Sequence, residues 1–147
     1  MSAARRITVG LALTALVGLA IAPGASAGGR PFTTDLTGEA EVTAAGVPNQ
    51  GDLDGVGTAE LTINPGLGEV CWTIEVSGVA PITAAHIHAA PATLPGPVVV
   101  PLNPYTGGCT TVDPELARAI VKDPSAYYVN VHNADFPAGA LRGQLSR

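Results

Sequence analysis

The sequence predicts an all-β domain, either a sandwich or a barrel, and two observations point to it. Glycine and proline are scattered through residues 28–147, where they separate short runs rich in valine, isoleucine and threonine. Within those runs apolar and polar residues alternate, which is the period of a strand with one buried face and one wet face. A single segment shows a helical pattern, so we expect one short helix in a connection between strands.

The first 27 residues are predicted to be a secretory signal peptide and are set apart from the domain. Arg5 and Arg6 precede an apolar run at residues 7–21, and the segment ends in Ala-Ser-Ala at residues 25–27. The run is about 15 residues long, whereas a membrane-spanning helix needs about 20. We therefore expect residues 28–147 to form a single secreted domain, extracellular or in the cell envelope, without a membrane span.

The charge of residues 28–147 narrows the choice of partner. Two of the seven basic residues lie in the predicted signal peptide, which leaves five basic and 12 acidic residues and a formal charge of −7. Such an acidic chain is unsuited to nucleic acid or to an anionic membrane. We expect an extracellular protein or a small ligand as its partner instead.

Cys71 and Cys109 are the only cysteines, and an even number in an exported chain favours a disulfide over a metal site. A bridge between them would stabilise the fold by about 4 kcal/mol in the chain-entropy description. A nucleophilic cysteine is the alternative, but the sequence shows no companion constellation for it.

The first half of the chain is predicted to hold three strands. Residues 30–42 form the opening strand, and residues 43–57 form a solvated loop whose Asp52 and Asp54 lack the ligand spacing of a calcium site. Residues 57–79 form a β-hairpin around the turn Asn-Pro-Gly-Leu-Gly. Its buried face consists of Ala59, Leu61, Ile63, Val70, Trp72, Ile74 and Val76.

The second half is predicted to hold the helix and two later strands. Asp113 can cap the helix, Pro114 suits its first position and Pro124 ends it. We expect its inward side chains to be Leu116 and Ile120. The strands that follow cover residues 126–136 and 139–147, with alternating faces.

Two histidines stand two positions apart in "TAAHIHAAPATLPGPVVVPL", residues 83–102. In a strand His86 and His88 share one face, and the same parity groups His132 with Tyr128 and Asn130 on its own strand. If the strands are neighbours, three imidazoles converge, and imidazole is a common ligand of zinc and copper. The alternative is that these histidines are structural polar groups, hydrogen bonded to carbonyls.

Catalytic motifs are missing from the sequence. The serines lie in no nucleophile-elbow pattern, and there is no His-Glu-x-x-His, phosphate loop or dinucleotide fingerprint. The carboxylates show no spacing that singles out a pair for acid-base work. We therefore expect the domain not to be an enzyme.

Longer motifs resemble one family. "AAHIH" followed by "GPVVVPL", and then "YYVNVHNADFPAGALRGQL", is similar to the chordin-type or CHRD domain, whose motif includes Asn130, Gly143 and Gln144. The resemblance implies a secreted β-sandwich of immunoglobulin-like character whose biochemical ligand is undefined. The departures from the family pattern, "EVTAAGVP" and "AAPATLPG", fall in predicted loops at residues 41–48 and 89–96.

A weaker resemblance links the chain to copper-zinc superoxide dismutase, which implies a similar β-fold. His86, His88, His132 and Arg142 occur in the order of that enzyme's copper ligands and its anion-guiding arginine, but the chain has no further histidine for a bridging or zinc site. A copper-only site is the most that this resemblance implies. Under either resemblance, to the CHRD domain or to superoxide dismutase, we expect Arg142 to pair with a carboxylate or with carbonyls near His132.

The sequence thus favours a non-enzymatic extracellular binding or structural module, with no assured cofactor. The alternative is a copper- or zinc-binding domain that uses His86, His88 and His132, with redox chemistry like that of superoxide dismutase.

Overall fold

The structure is a computed structural model that describes residues 28–146, and the predicted signal peptide lies outside them. Eight strands and one α-helix, α1, form the domain, with a single 3₁₀ turn at Pro124–Ala126. The helix covers Pro114–Lys122, between the sixth and seventh strands. The strands are β1 Arg30–Thr37, β2 Val56–Asn64, β3 Glu69–Ser77, β4 Ile82–Ala89, β5 Val98–Pro101, β6 Gly107–Thr111, β7 Tyr127–Asn133 and β8 Leu141–Gln144.

All eight strands belong to one antiparallel sheet in the order β5-β4-β7-β8-β1-β2-β3-β6. Strands β8 and β1 pair at a single position, Thr37 opposite Arg142, so the sheet divides there into two four-stranded halves. Apolar side chains from both halves, such as Ile63 and Val129, belong to one buried cluster. The predicted all-β fold with one short helix is confirmed, and its two layers are the halves of one curled sheet.

The predicted hairpin is β2 paired with β3, in a register that places Leu61 opposite Trp72. The apolar alternation correctly predicts the buried face, because the inward residues of both strands are buried except Val76, which is half-buried. The side chain of Asn64 accepts hydrogen bonds from the backbone of Gly66 and Leu67 and so shapes the turn. Local sequence is enough to specify this unit.

The opening strand is shorter than predicted, since β1 ends at Thr37 rather than at residue 42. The chain turns there because Thr37 Oγ1 accepts from the backbone of Ala40, and the carbonyl of Gly38 accepts from Glu41 and Gly51. Residues 38–55 therefore form a loop that folds back over the sheet. This turn buries the side chain of Glu41, which the sequence had placed in a strand.

Helix α1 begins as predicted, with the Asp113 carboxylate accepting from the backbone of Glu115. Its fully buried residues are Ala117 and Ile120, whereas Leu116 is only partly buried against the core. The helix ends at Lys122, just before Pro124. Strand β6 was not predicted, because its two glycines and three Cys or Thr residues show no apolar alternation.

The predicted disulfide between Cys71 and Cys109 is present and joins directly opposed residues of β3 and β6. It therefore fastens the edge strand of the half that holds the hairpin. Within residues 28–146, no helix is both long enough and apolar enough to cross a membrane.

Candidate metal centre

The histidines belong to the half of the sheet made by β5, β4, β7 and β8, and strand parity decides where they point. On the inner face Ala85, Ile87, Val129, Val131 and Leu141 are buried in the core. The intervening residues point to the outer face, which two loops cover. The outer-face residues are His86 and His88 of β4, Tyr128, Asn130 and His132 of β7, and Arg142 and Gln144 of β8.

Strand pairing brings the three histidines together, as the parity of the sequence predicted. In the antiparallel register of β4 and β7, His86 lies opposite Asn130, and His132 lies opposite Ala84. One ring nitrogen from each histidine lies within 4.8 Å of the other two. The closest pair is His86 Nδ1 and His132 Nε2, at 3.1 Å. Among residues 28–146 no other trio of histidine, cysteine or acidic side chains is arranged to hold a metal ion.

Backbone carbonyls determine which nitrogen of two of these rings carries the proton. His88 Nδ1 lies 2.8 Å from the carbonyl oxygen of Gly96, and His132 Nδ1 lies 3.2 Å from that of Pro137. A carbonyl only accepts, so both Nδ1 atoms carry the proton and both Nε2 atoms present a lone pair. His86 Nδ1 then donates to His132 Nε2.

The Nε2 atom of His88 has no hydrogen-bond partner and is buried. A buried polar atom left unpaired in this way costs free energy, and its presence calls for an explanation. An imidazole binds a metal ion through the lone pair of an unprotonated ring nitrogen such as this one. The donor set therefore fits copper or zinc, with His88 and His132 binding through Nε2 and His86 through Nδ1 once its proton moves to the other ring nitrogen.

The surroundings of the site lower the pKa values of two of its histidines. Burial lowers the pKa of His86, and the neighbouring charges of His132 and His88 lower it further. Burial also lowers the pKa of His132, while its hydrogen bond to the Pro137 carbonyl opposes that change and the charge of His88 adds to it. Neutral imidazole is the ligand form, so both shifts favour metal binding over protonation.

Residues 90–97, which we call the strap, cross the outer face beside His88. The Gly96 amide donates to Tyr128 Oη at 3.2 Å, and the Gly96 carbonyl accepts from His88. The Tyr128 ring stacks on the His88 ring, with centroids 4.8 Å apart and planes 12° apart. The strap and Tyr128 together hold the His88 imidazole in one orientation.

Arg142 lies beneath the strap and is 1% exposed. Its Nη2 donates to the carbonyl oxygens of Pro91 at 2.8 Å and Leu94 at 3.0 Å, and its guanidinium carbon lies 3.5 Å from the centre of the Tyr128 ring. Burial lowers the pKa of Arg142, against which Tyr128 and Glu41 act. The carbonyls that it pairs with are those of the strap, next to His88, rather than those near His132.

Glu41 completes the buried polar groups on this face. One carboxylate oxygen accepts from the Asn130 side chain at 2.6 Å, and the other accepts from the Val42 amide at 3.0 Å. Glu41 was not predicted as a site residue, because its sequence position suggested the end of the opening strand. Apart from Ala89, the last residue of β4, both departures from the family pattern lie in the strap and in the loop of residues 38–55.

The other residues of the family motif act in the scaffold around the site. Gln144 donates to the carbonyls of Ala90 and Ser125, and so ties down the start of the strap. Gly143 lies where β8 meets β1, and a Cβ atom there would overlap the carbonyl oxygen of Asp35. These contacts explain why the motif needs an amide and a glycine at these positions.

Two surface depressions differ in their relation to the histidines. A shallow one of about 300 Å³ lies beside His86 and is bordered by Pro101 and Tyr105. A larger open groove of about 560 Å³ lies over the other half of the sheet, where Asp35 and Glu75 line it and no histidine does. Of the three histidines, only His86 lines the first depression, so the metal-binding nitrogens lie at its border rather than within it.

Comparison with known proteins gives one family. The family model described as the CHRD domain matches residues 32–145, which include seven of the eight strands in full and all but the first two residues of β1. No curated protein and no solved structure matches the chain, so the likeness to superoxide dismutase still depends on the order of four residues. Because the family model covers most of the sequence, the chain belongs to the CHRD domain family.

Proposed function

We propose that this domain is an exported binding module whose ligand is a copper ion, held by His86, His88 and His132. The observation that supports this most directly is the His88 Nε2 atom, which is buried and free of hydrogen bonds, in a ring that offers one nitrogen within 4.8 Å of a nitrogen of each other histidine. An ion at this position would satisfy it.

The donor set favours copper over other first-row ions. Three neutral imidazoles suit copper and zinc, and the Irving–Williams order gives Cu²⁺ the higher affinity at a given nitrogen site. With metal–nitrogen bonds of about 2.0 Å, neighbouring nitrogens are roughly 2.8 Å apart in square-planar coordination and roughly 3.3 Å apart in tetrahedral coordination. The His86 and His132 nitrogens at 3.1 Å already lie between these two spacings, and the more widely separated nitrogens would close on the ion by rotation of the rings.

Export is part of the proposal and has separate support. The signal-like first 27 residues, the disulfide and the CHRD family all suit a compartment outside the cytoplasm. N-terminal sequencing of the exported protein tests the cleavage after Ala27. An intact N-terminus on protein recovered outside the cytoplasm would contradict it.

The experiment for the metal is elemental analysis of the protein purified without chelators, and again after exposure to Cu²⁺ and Zn²⁺. We expect close to one copper per chain, and a copper resonance spectrum with splitting from several nitrogens. His88→Ala should lose this ion, whereas Thr73→Ala, an exposed change on β3 in the other half of the sheet, should keep it. No uptake after reconstitution, or equal uptake by both variants, would refute the site.

Redox chemistry is a separate question. A bound copper ion that cycles between Cu²⁺ and Cu⁺ would supply one-electron chemistry, and a superoxide dismutation assay on copper-loaded protein tests it. The metal-binding proposal does not depend on that result.

A further inference from the structure

The strap is held in place almost entirely through its backbone. The side chains from Pro91 to Pro95 are exposed, so no buried apolar residue anchors the middle of the segment. Instead, side chains of the outer face hydrogen bond to strap backbone at Ala90, Pro91, Leu94 and Gly96. A segment with few buried contacts depends on such bonds for its position.

Arg142 provides the central anchor among these bonds. Gln144 holds the start of the strap at Ala90, and Tyr128 and His88 hold its end at Gly96. Arg142 alone spans the middle, because one nitrogen donates to both Pro91 and Leu94. Its guanidinium also lies over the Tyr128 ring, which stacks on His88.

These contacts form a continuous path from Arg142 to the metal-facing nitrogen of His88. The strap positions the Gly96 carbonyl, and that carbonyl holds the proton of His88 on Nδ1. The Nε2 lone pair is free only as a result. If the strap moved away, Nδ1 would lose its acceptor, and the proton could reside on Nε2, where it blocks a metal ion.

We infer that Arg142 is a positioning residue for the metal centre, which acts by fixing the strap so that the Gly96 carbonyl keeps His88 in its metal-binding tautomer. The inference deepens the proposed function and rests on it. It also gives Arg142 a different role from anion guidance, since the guanidinium is buried under the strap rather than exposed to a diffusing ligand.

The test compares Arg142→Met, Arg142→Lys and the unchanged protein in two measurements. The first is ¹⁵N NMR of the imidazole rings in the metal-free protein, which distinguishes the Nδ1–H from the Nε2–H tautomer. The second is copper affinity by competition with a chelator. We expect Arg142→Met to shift His88 toward the Nε2–H form and to weaken copper binding by about 10- to 100-fold, the usual effect of losing an outer-shell contact.

Arg142→Lys serves as the conservative variant. An ammonium group keeps the charge but lacks the planar fork of a guanidinium, so we expect partial recovery of both the tautomer and the affinity. Arg118→Met is the matched control, because Arg118 is exposed on α1 and makes none of these contacts, and it should change neither measurement. If Arg142→Met does not fold, Arg142→Lys decides the question.

The results separate the two proposals. A folded Arg142→Met protein with the His88 tautomer and copper affinity of the unchanged protein would overturn the positioning role, and where that variant does not fold, the same result for Arg142→Lys would overturn it. Failure of the unchanged protein to take up copper would instead refute the proposed function. In that event the ring spectra of the metal-free protein still show whether Arg142 sets the tautomer.

Discussion

The side-chain amide of Asn130 donates to the carboxylate of Glu41 at 2.6 Å, and both residues are buried although 89 positions separate them in sequence. This contact fastens the loop of residues 38–55 to β7. It also places Glu41 on the same outer face as the histidines, since Asn130 lies opposite His86.

Replacing Glu41 by alanine should therefore destabilise the fold. The change leaves the Val42 amide and one Asn130 donor without their acceptor, so we expect the free energy of unfolding to fall by about 2–3 kcal/mol. Urea denaturation followed by tryptophan fluorescence measures it. Glu39→Ala is the matched control because Glu39 is exposed, and it should change stability by less than about 0.5 kcal/mol. Equal effects of the two changes would contradict the importance of the contact.

The metal-free protein should lose stability as the pH falls through the histidine range. The pKa values of His86 and His132 lie below 6.5 in the folded state, whereas in the unfolded chain they return to about 6.5. The unfolded state therefore binds more protons in that window, and the free energy of unfolding decreases from about pH 7 downward. The decrease ends once the pH is below the folded-state pKa values.

Urea titrations between about pH 8 and pH 5 measure this trend, above the range where most carboxylates titrate. A protein with both His86 and His132 changed to alanine should show a flatter pH dependence. The same steep decrease in that double variant would assign the effect to other groups.

Gly96→Ala should weaken both the fold and the site. A Cβ atom at this position would overlap the carbonyl oxygen of Ala89, so the strap would have to shift. We expect a loss of stability of about 1–3 kcal/mol, in the range of overpacked sites, together with weaker copper binding. Gly66→Ala, whose new atom would be 3.3 Å from Asn64 Oδ1, is the comparison and should leave copper affinity unchanged. Copper affinity that stays the same in Gly96→Ala would show that the strap is not needed.

Removing the disulfide should affect stability and leave the metal centre intact. Changing Cys71 and Cys109 to serine opens a link across 38 positions, which should lower the free energy of unfolding by about 3–4 kcal/mol. The bridge joins β3 to β6, on the half of the sheet without the histidines. Copper affinity, measured where the variant is fully folded, should equal that of the unchanged protein. A large loss of copper affinity would show instead that the two halves of the sheet are energetically coupled.

Changing all three histidines to alanine separates the two explanations of the His-Ile-His motif. None of their side chains belongs to the apolar core, so the protein should still fold, with a loss of about 2 kcal/mol, and should bind no copper. Circular dichroism and metal analysis provide the two measurements. A chain that cannot fold without its histidines would show that the motif is structural.

Much of the site could be predicted from alternation alone. Parity on two strands placed His86 and His88 on one face and grouped His132 with Tyr128 and Asn130, and the pairing of β4 with β7 then brings the three histidines together. The hairpin was predictable for the same reason, because its apolar positions repeat every second residue. Side chains of a strand alternate between its two faces, and this alternation can be read directly from the sequence.

The parts that could not be predicted depend on loops. The carboxylate of Glu41 reaches Asn130 only because the chain leaves β1 at Thr37, and that turn rests on hydrogen bonds that show no periodic pattern. The burial of Arg142 likewise depends on where the strap lies. In the sequence Arg142 occupies an outward position of the last predicted strand, and the strap that covers it in the structure makes this position buried.

The alternation along β4 and β7 also has an evolutionary consequence. Each of these strands presents the core on one face and the imidazoles on the other, so a lineage could replace all three histidines without altering a single core residue. Selection for folding and selection for the ligand thus act on different residues of the same strand. Membership of the family identifies the scaffold that has been inherited, whereas the ligand must be established for each descendant from its own outer face.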